Sequence, residues 1–130
     1  MTRQAQGMVT IGLVTDVVLT SPLTRCRQTA DIVAEALGAV VYEDPRLEPG
    51  ADLDAVEEVL LGCPDAEHVL LCGHQPDLSR IVSALTGGGL IEFGRGALAV
   101  LDVAAPRPRG GHLRALYPPA ALRRIAGDGD

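Results

Sequence analysis

His68-Val-Leu-Leu-Cys-Gly-His74-Gln-Pro-Asp77 is the stretch that decides the fold. Val69 to Cys72 is a short, wholly apolar run, the pattern of a strand buried on both faces. Gly73 and His74 stop it, and Pro76 opens an amphipathic stretch, Asp77–Leu85, that reads as helix. The His74 imidazole therefore falls at the carboxyl end of a parallel strand and beside a helix N-terminus. Open α/β sheets bind ligands at that rim, and helix N–H groups attract anions there.

The same arrangement occurs upstream with an arginine. Asp16-Val-Val-Leu-Thr20 reads as a buried strand ended by Ser21-Pro22. Thr24–Leu37 follows as a helix, with Ile32, Val33, Ala36 and Leu37 apolar and Gly38 as its C-terminal stop. Arg25 lies in the first turn of that helix, where the positive end of the helix dipole disfavours a cation. A phosphate bound at the same N-terminus would offset that cost, and the guanidinium fork would add paired contacts. Alone, Arg25 reads equally well as a surface residue and His74 as a hydrogen-bonded turn histidine. On two parallel strands they share one rim, which favours a phosphate site. Arg27 points round the helix from Arg25 and reads as a solvated side chain.

Outward from these motifs, Met1–Ile11 reads as the tail of a helix, with Ala5, Met8 and Val9 on one face and Gly12 as its stop. Val40–Glu43 is a short peripheral strand, and Pro45–Asp52 a loop. Leu53–Leu61 is a helix with Asp52 as N-cap and Gly62 after its end. Gly87-Gly88-Gly89 is a turn; it lacks a Lys-Ser/Thr partner and is not a phosphate-cradling loop. Ala97–Val103 and His112–Tyr117 are strands that pair antiparallel across the loop Pro106–Gly111. The tail from Pro118 carries a short helix flanked by Arg123 and Arg124 and then frays. Alternating strands and helices with a hairpin-like end predict one three-layer α/β/α domain over residues 1–130.

Composition narrows the function. The chain has 130 residues, 47% of them hydrophobic, and Tyr42, Phe93 and Tyr117 are its aromatics. That is enough for a single aliphatic core and too little for two. All 11 basic residues are Arg, and the net charge is −6. An acidic chain argues against nucleic acid as partner, so any phosphate site is a local exception. Cys26, Cys63 and Cys72 lack metal-ligand spacing and read as reduced thiols of a cytoplasmic protein. No apolar run approaches a membrane span, and no signal peptide opens the chain. The run Asp52, Asp54, Glu57, Glu58 is a solvated helix face.

Ser21-Pro-Leu-Thr-Arg25-Cys-Arg27-Gln28-Thr29-Ala30 resembles the S-x-L-x-R-x-x-Q-T-A segment of the histidine phosphatase superfamily. Gly73-His74-Gln75-Pro76 is similar to that superfamily's second-histidine motif. Leu47-Glu-Pro49-Gly50 and Phe93-Gly-Arg-Gly-Ala-Leu-Ala-Val-Leu resemble segments of its compact SixA-type phosphohistidine phosphatases. The resemblance runs in order from about Val14 to Leu122, and it implies a mostly parallel, phosphoglycerate-mutase-like sheet.

It further implies that Arg25 binds phosphate and that His74 is the supporting histidine of the site. Ser21 and Gln75 would shape the pocket, and Glu48 is a candidate acid in the short loop. Family chemistry relies on Arg and His, so no metal or cofactor is implied. The short loop leaves the site open to a phosphohistidine-bearing protein. Imidazole also leaves phosphorus more readily than an alkoxide, which disfavours a small-molecule phosphomonoesterase.

The superfamily's nucleophile lies in an Arg-His-Gly motif ending the first, central strand, and these 130 residues contain no Arg-His-Gly. His68 is at the wrong end of its strand, and His112 is in the hairpin. The chain thus reads as beginning at the helix after that strand, and three expectations follow. It lacks the covalent step, or is a non-catalytic module binding phosphate or a phosphoprotein. The strands flanking the gap either pair with each other or accept a strand from a second copy. It is accordingly a monomer or a strand-exchanged dimer.

Overall fold

A computed structural model describes residues 1–127. Its elements run α1 (Thr2–Thr10), β1 (Val17–Thr20), α2 (Thr24–Leu37), β2 (Val40–Glu43), α3 (Leu53–Leu61), β3 (Val69–Cys72), α4 (Asp77–Leu85), β4 (Leu98–Val103), β5 (Gly111–Tyr117) and α5 (Pro119–Ile125). A 3-10 turn over Pro45–Leu47 interrupts the loop before α3 and buries Leu47. The expected fraying of the tail concerns residues 128–130, which lie outside the described ones.

β1 is the central strand of its sheet, and its successive side chains point to opposite faces. It pairs parallel with β2 on one side, Val17 opposite Val40, and with β3 on the other, Val17 opposite Val69. Val18 packs with Ala30 and Ala34 of α2, whereas its neighbour Leu19 packs with Leu47 and with Val59 of α3. Helices therefore cover both faces, as the three-layer reading predicts. Val56 of α3 and Ile81 and Leu85 of α4 form a further cluster. On the α2 side, Ala5 and Met8 of α1, Val33 and Leu122 of α5 close the core. β4 and β5 form a separate antiparallel pair with a bulge between Val100 and Leu101.

Two face assignments change. Val9 is exposed, because the close approach of α5 moves the buried face of α1 to Ala5, Gly7 and Met8. Ala36 is exposed as well. The buried positions of α2 are Cys26, Ala30, Val33 and Ala34, a stripe at helical spacing that passes it by. Gly38 ends α2 in the left-handed region, φ 71°, the conformation that selects glycine there.

Local hydrogen bonds hold the strand entries in place. An exposed carboxylate at Asp16 accepts the N–H groups of Glu67 and His68 at 2.8 and 2.9 Å, joining the starts of β1 and β3. Asp52 caps α3 as expected, accepting from the Ala55 N–H at 2.9 Å. Among the described residues, β3 pairs only with β1, and β4 only with β5. The strands flanking the expected gap therefore do not pair with each other.

Candidate functional site

Parallel pairing of β1 and β3 brings their carboxyl ends together, and with them Ser21 and His74. The Ser21 N–H donates to the Cys72 carbonyl at 3.0 Å, which extends the ladder by one residue past β1. Ser21 is fully buried. Its Oγ accepts from the Leu23 N–H at 3.3 Å and lies 2.9 Å from His74 Nε2. That contact fixes the half-buried imidazole at the rim. Ser21 thus acts through His74 and offers no exposed atom of its own to a ligand.

Arg25 stands on the first turn of α2. No side chain caps this helix at Leu23, so its first N–H groups are open to an anion. Arg25 is exposed and lines the same cavity as His74, Cys26 and Gln75. No hydrogen bond or ion pair ties its guanidinium to another described residue. Arg27, by contrast, is held on the surface by Asp31 at 3.0 Å and Glu43 at 3.3 Å. Arg27 is thus ion-paired and half-buried, whereas Arg25 is exposed.

Gln75 lines the cavity, but its amide oxygen is committed to α4. It accepts from the Ser79 N–H at 3.1 Å and from Ser79 Oγ at 2.7 Å, so Gln75 fixes the helix start behind His74. Glu48 follows the 3-10 turn and is not among the residues lining the cavity. Its loop is instead tied to α4, because the Gly50 N–H donates to Asp77 Oδ2 at 2.7 Å. That bond holds the loop at the start of α4, while Glu48 itself stays off the cavity wall.

Cys26 is the residue that sequence reasoning placed nearby without giving it a part. Its thiol donates to the Gly73 carbonyl at 3.3 Å and lies 3.6 Å from His74 Nε2. Burial pushes the Cys26 thiol up, against a smaller opposing effect of the Ser21 hydroxyl. Cys72 is pushed up to about 12, first by burial and then by Cys26. Both stay protonated at neutral pH, so neither presents a ready nucleophilic thiolate. The position of Cys26 one residue after Arg25 was the available signal. A helix turn that faces a strand end presents both residues to it.

Residues 5–49 match the model of the histidine phosphatase superfamily (branch 1). Over this segment the chain is similar to that superfamily. The matched segment includes Ser21 and Arg25 and ends before His74. An uncharacterized protein from Picosynechococcus sp. is 42% identical over 88 residues, which is 65% of this chain and 53% of that protein. The chain thus spans about half the length of that relative.

Two solved structures share the fold. A crystal structure designated phosphohistidine phosphatase SixA, from Agrobacterium tumefaciens, superposes with a TM-score of 0.74 at 21% identity, over 91% of this chain and 77% of that one. A second structure of that designation, from Nakamurella multipartitia, gives 0.70 at 24% identity, over 92% and 81%. These likenesses establish a phosphoglycerate-mutase-like α/β fold. Among the described residues no helix is long and apolar enough to cross a membrane.

Proposed function

We propose that this chain carries the phosphate-recognition part of a phosphohistidine phosphatase-type site, with Arg25 and His74 holding the phosphoryl group. The observation that carries the reading is the shared rim. His74, anchored on buried Ser21, and the unpaired Arg25 line one cavity at the carboxyl ends of adjacent parallel strands. Their contribution is electrostatic: donors fixed where charge accumulates on phosphoryl oxygens. The open N-terminus of α2 adds backbone N–H groups of the same sign.

The substrate class follows from what stands near and what does not. Glu48, the candidate acid for protonating an alkoxide, does not line the cavity. A phosphorylated imidazole on a cytoplasmic protein makes the least demand for one. Covalent transfer would need a second imidazole opposite Arg25. His68 stands at the amino end of β3 and His112 on β5, so these residues alone bind phosphate without turning it over.

Titration with inorganic phosphate, followed by NMR, tests this. Signals of Arg25 and His74 should shift together, and Arg25→Ala should weaken binding about 10- to 100-fold, the value of a hydrogen-bonded charge. Shifts at neither residue refute the site. Release of phosphate from a phosphohistidine protein above background refutes the absence of turnover.

A further inference from the structure

We propose that Arg95 reads an acidic side chain beside the phosphorylated histidine of a substrate protein, and so sets the site's choice among phosphohistidine proteins. This rests on the phosphate reading of Arg25 and His74 and adds a second, separate anion contact to it.

The path of the chain delivers Arg95 to the rim. α4 begins beside His74, whose carbonyl accepts from the Leu78 N–H at 2.9 Å. At the far end of α4 the Arg109 N–H donates to the Ala84 carbonyl at 3.0 Å, and a Cβ on Gly111 would lie 3.3 Å from that of Leu85. The loop between β4 and β5 is therefore at the end opposite His74, and β4 starts at the rim. Between α4 and β4 the chain climbs back along the helix. The Ile91 N–H donates to Ser83 Oγ at 3.3 Å, and the Phe93 N–H to Ser79 Oγ at 3.2 Å. Those serines stand one turn apart on one face of α4, so the segment runs antiparallel to the helix and reaches its first turn at Phe93. Arg95 follows two residues later.

The backbone on either side of Arg95 is pinned. Ser79 Oγ donates in turn to Gln75 Oε1 at 2.7 Å, which links Phe93 to the residue next to His74. On the other side, Gly96 has φ 75°, and a Cβ there would lie 3.2 Å from Gln4 Nε2 and 3.5 Å from Pro119 Cβ. The Ala97 N–H donates back to the Gly94 carbonyl at 3.3 Å and closes a turn with Arg95 at its tip. The Arg95 side chain is exposed, lines the cavity with Arg25 and His74, and has no hydrogen bond or ion pair with another described residue.

A fixed turn presenting an unpaired guanidinium suits a planar anion brought from outside. In the proposed site Arg25, His74 and the N–H groups of α2 meet the phosphoryl charge from β1 and β3, whereas Arg95 stands on the β4 side. A carboxylate next to the phosphohistidine along a substrate chain fits that position. The net charge of −6 otherwise repels an acidic segment, so a local cation decides whether one is accepted. Arg107, equally exposed, lies in the loop at the opposite end and does not line the cavity.

The test titrates the whole chain calorimetrically with two peptides, acetyl-Ala-Asp-X-Asp-Ala-amide and acetyl-Ala-Asn-X-Asn-Ala-amide, in which X is phosphotriazolylalanine, a stable stand-in for phosphohistidine. The Asp peptide should bind about three- to fivefold more tightly, the upper range of an exposed ion pair. Arg95→Gln should erase or reverse that preference. Arg107→Gln, the same charge change at the opposite end, should keep it. Equal affinity of the unaltered chain for the two peptides, or equal effects of the two substitutions, overturns the proposal. So does a loss of inorganic phosphate binding in Arg95→Gln as large as in Arg25→Ala, which would put Arg95 on the phosphoryl group itself. An unaltered chain that binds neither inorganic phosphate nor either peptide refutes the underlying phosphate site, and the specificity reading with it.

Discussion

Gly7→Ala should destabilise the domain, against the usual direction of a glycine-to-alanine change within a helix. Gly7 lies inside α1, where alanine is favoured over glycine by about 1 kcal/mol through backbone entropy alone. A Cβ at this position, however, would lie 2.1 Å from the Leu122 carbonyl oxygen, 2.8 Å from its carbon and 3.0 Å from its Cα. All three are backbone atoms of α5, so no rotamer change relieves the clash. The helices must separate by at least about 0.9 Å to reach the 3.0 Å limit of real contacts. Overpacking of this kind costs about 1–3 kcal/mol. Leu122 is wholly buried with Ala5, Met8 and Val33, and full undocking of α5 would forfeit about 1.5–3 kcal/mol from that side chain. The net expectation is a loss of about 2 kcal/mol, read as a lower urea midpoint with an unchanged slope. Gln6→Ala, one position earlier on the exposed side, serves as the control and should move stability by no more than about 0.5 kcal/mol. An unchanged or raised midpoint for Gly7→Ala would show that α1 and α5 do not pack as described.

Three further outcomes follow from individual side chains. The Cys72 thiol, pushed up to about 12 in the folded state from an ordinary value of 9.0, keeps its proton where the unfolded chain has lost it. Its contribution is complete below pH 9.0 and disappears toward pH 12, on the order of 4 kcal/mol; Cys72→Ala should flatten that alkaline decline in denaturation measured across the range. Asp16 is held below 3.8 by the N–H groups of His68 and Glu67, so its contribution is present above pH 3.8 and is lost as pH falls through the lower folded value. Asp16→Asn should reduce acid sensitivity in the same assay. Ser21→Ala removes the 2.9 Å contact to His74; it should cost about 1 kcal/mol of stability and weaken phosphate binding less than Arg25→Ala does.

Much of the fold was legible because the local signals are strong and agree. α2, α3, β2, β3 and α4 begin and end where their apolar periods, caps and glycines place them. The strand ends also located Arg25 and His74 without any structure, because period and punctuation alone place residues at a rim. Side-chain commitments were not legible. Whether Gln75 turns toward a ligand or bonds back to Ser79 depends on rotamers and a helix start only four residues away. Whether Glu48 reaches the site depends on a loop anchored through Gly50 to Asp77, 27 residues further on. The face of α1 was misplaced at Val9 for a related reason: Gly7 admits a backbone that a hydrophobic count does not register.

The pairing of Ser21 with His74 fixes one wall of the proposed site. A histidine at a sheet rim gains little fixity from its own turn. Here its ring is held by a buried hydroxyl on the neighbouring strand, which itself accepts a backbone N–H. The adjacent Cys26 thiol is uncharged and so brings no competing charge to the phosphate position. In the proposed site of a chain of net charge −6, an uncharged neighbour at position 26 leaves Arg25 and the open end of α2 to act on the anion. Replacing Cys26 with aspartate would place a carboxylate beside His74 and should abolish phosphate binding. Serine at the same position, which adds no charge, should preserve it. Equal affinity for the two variants would show that the anion sits elsewhere.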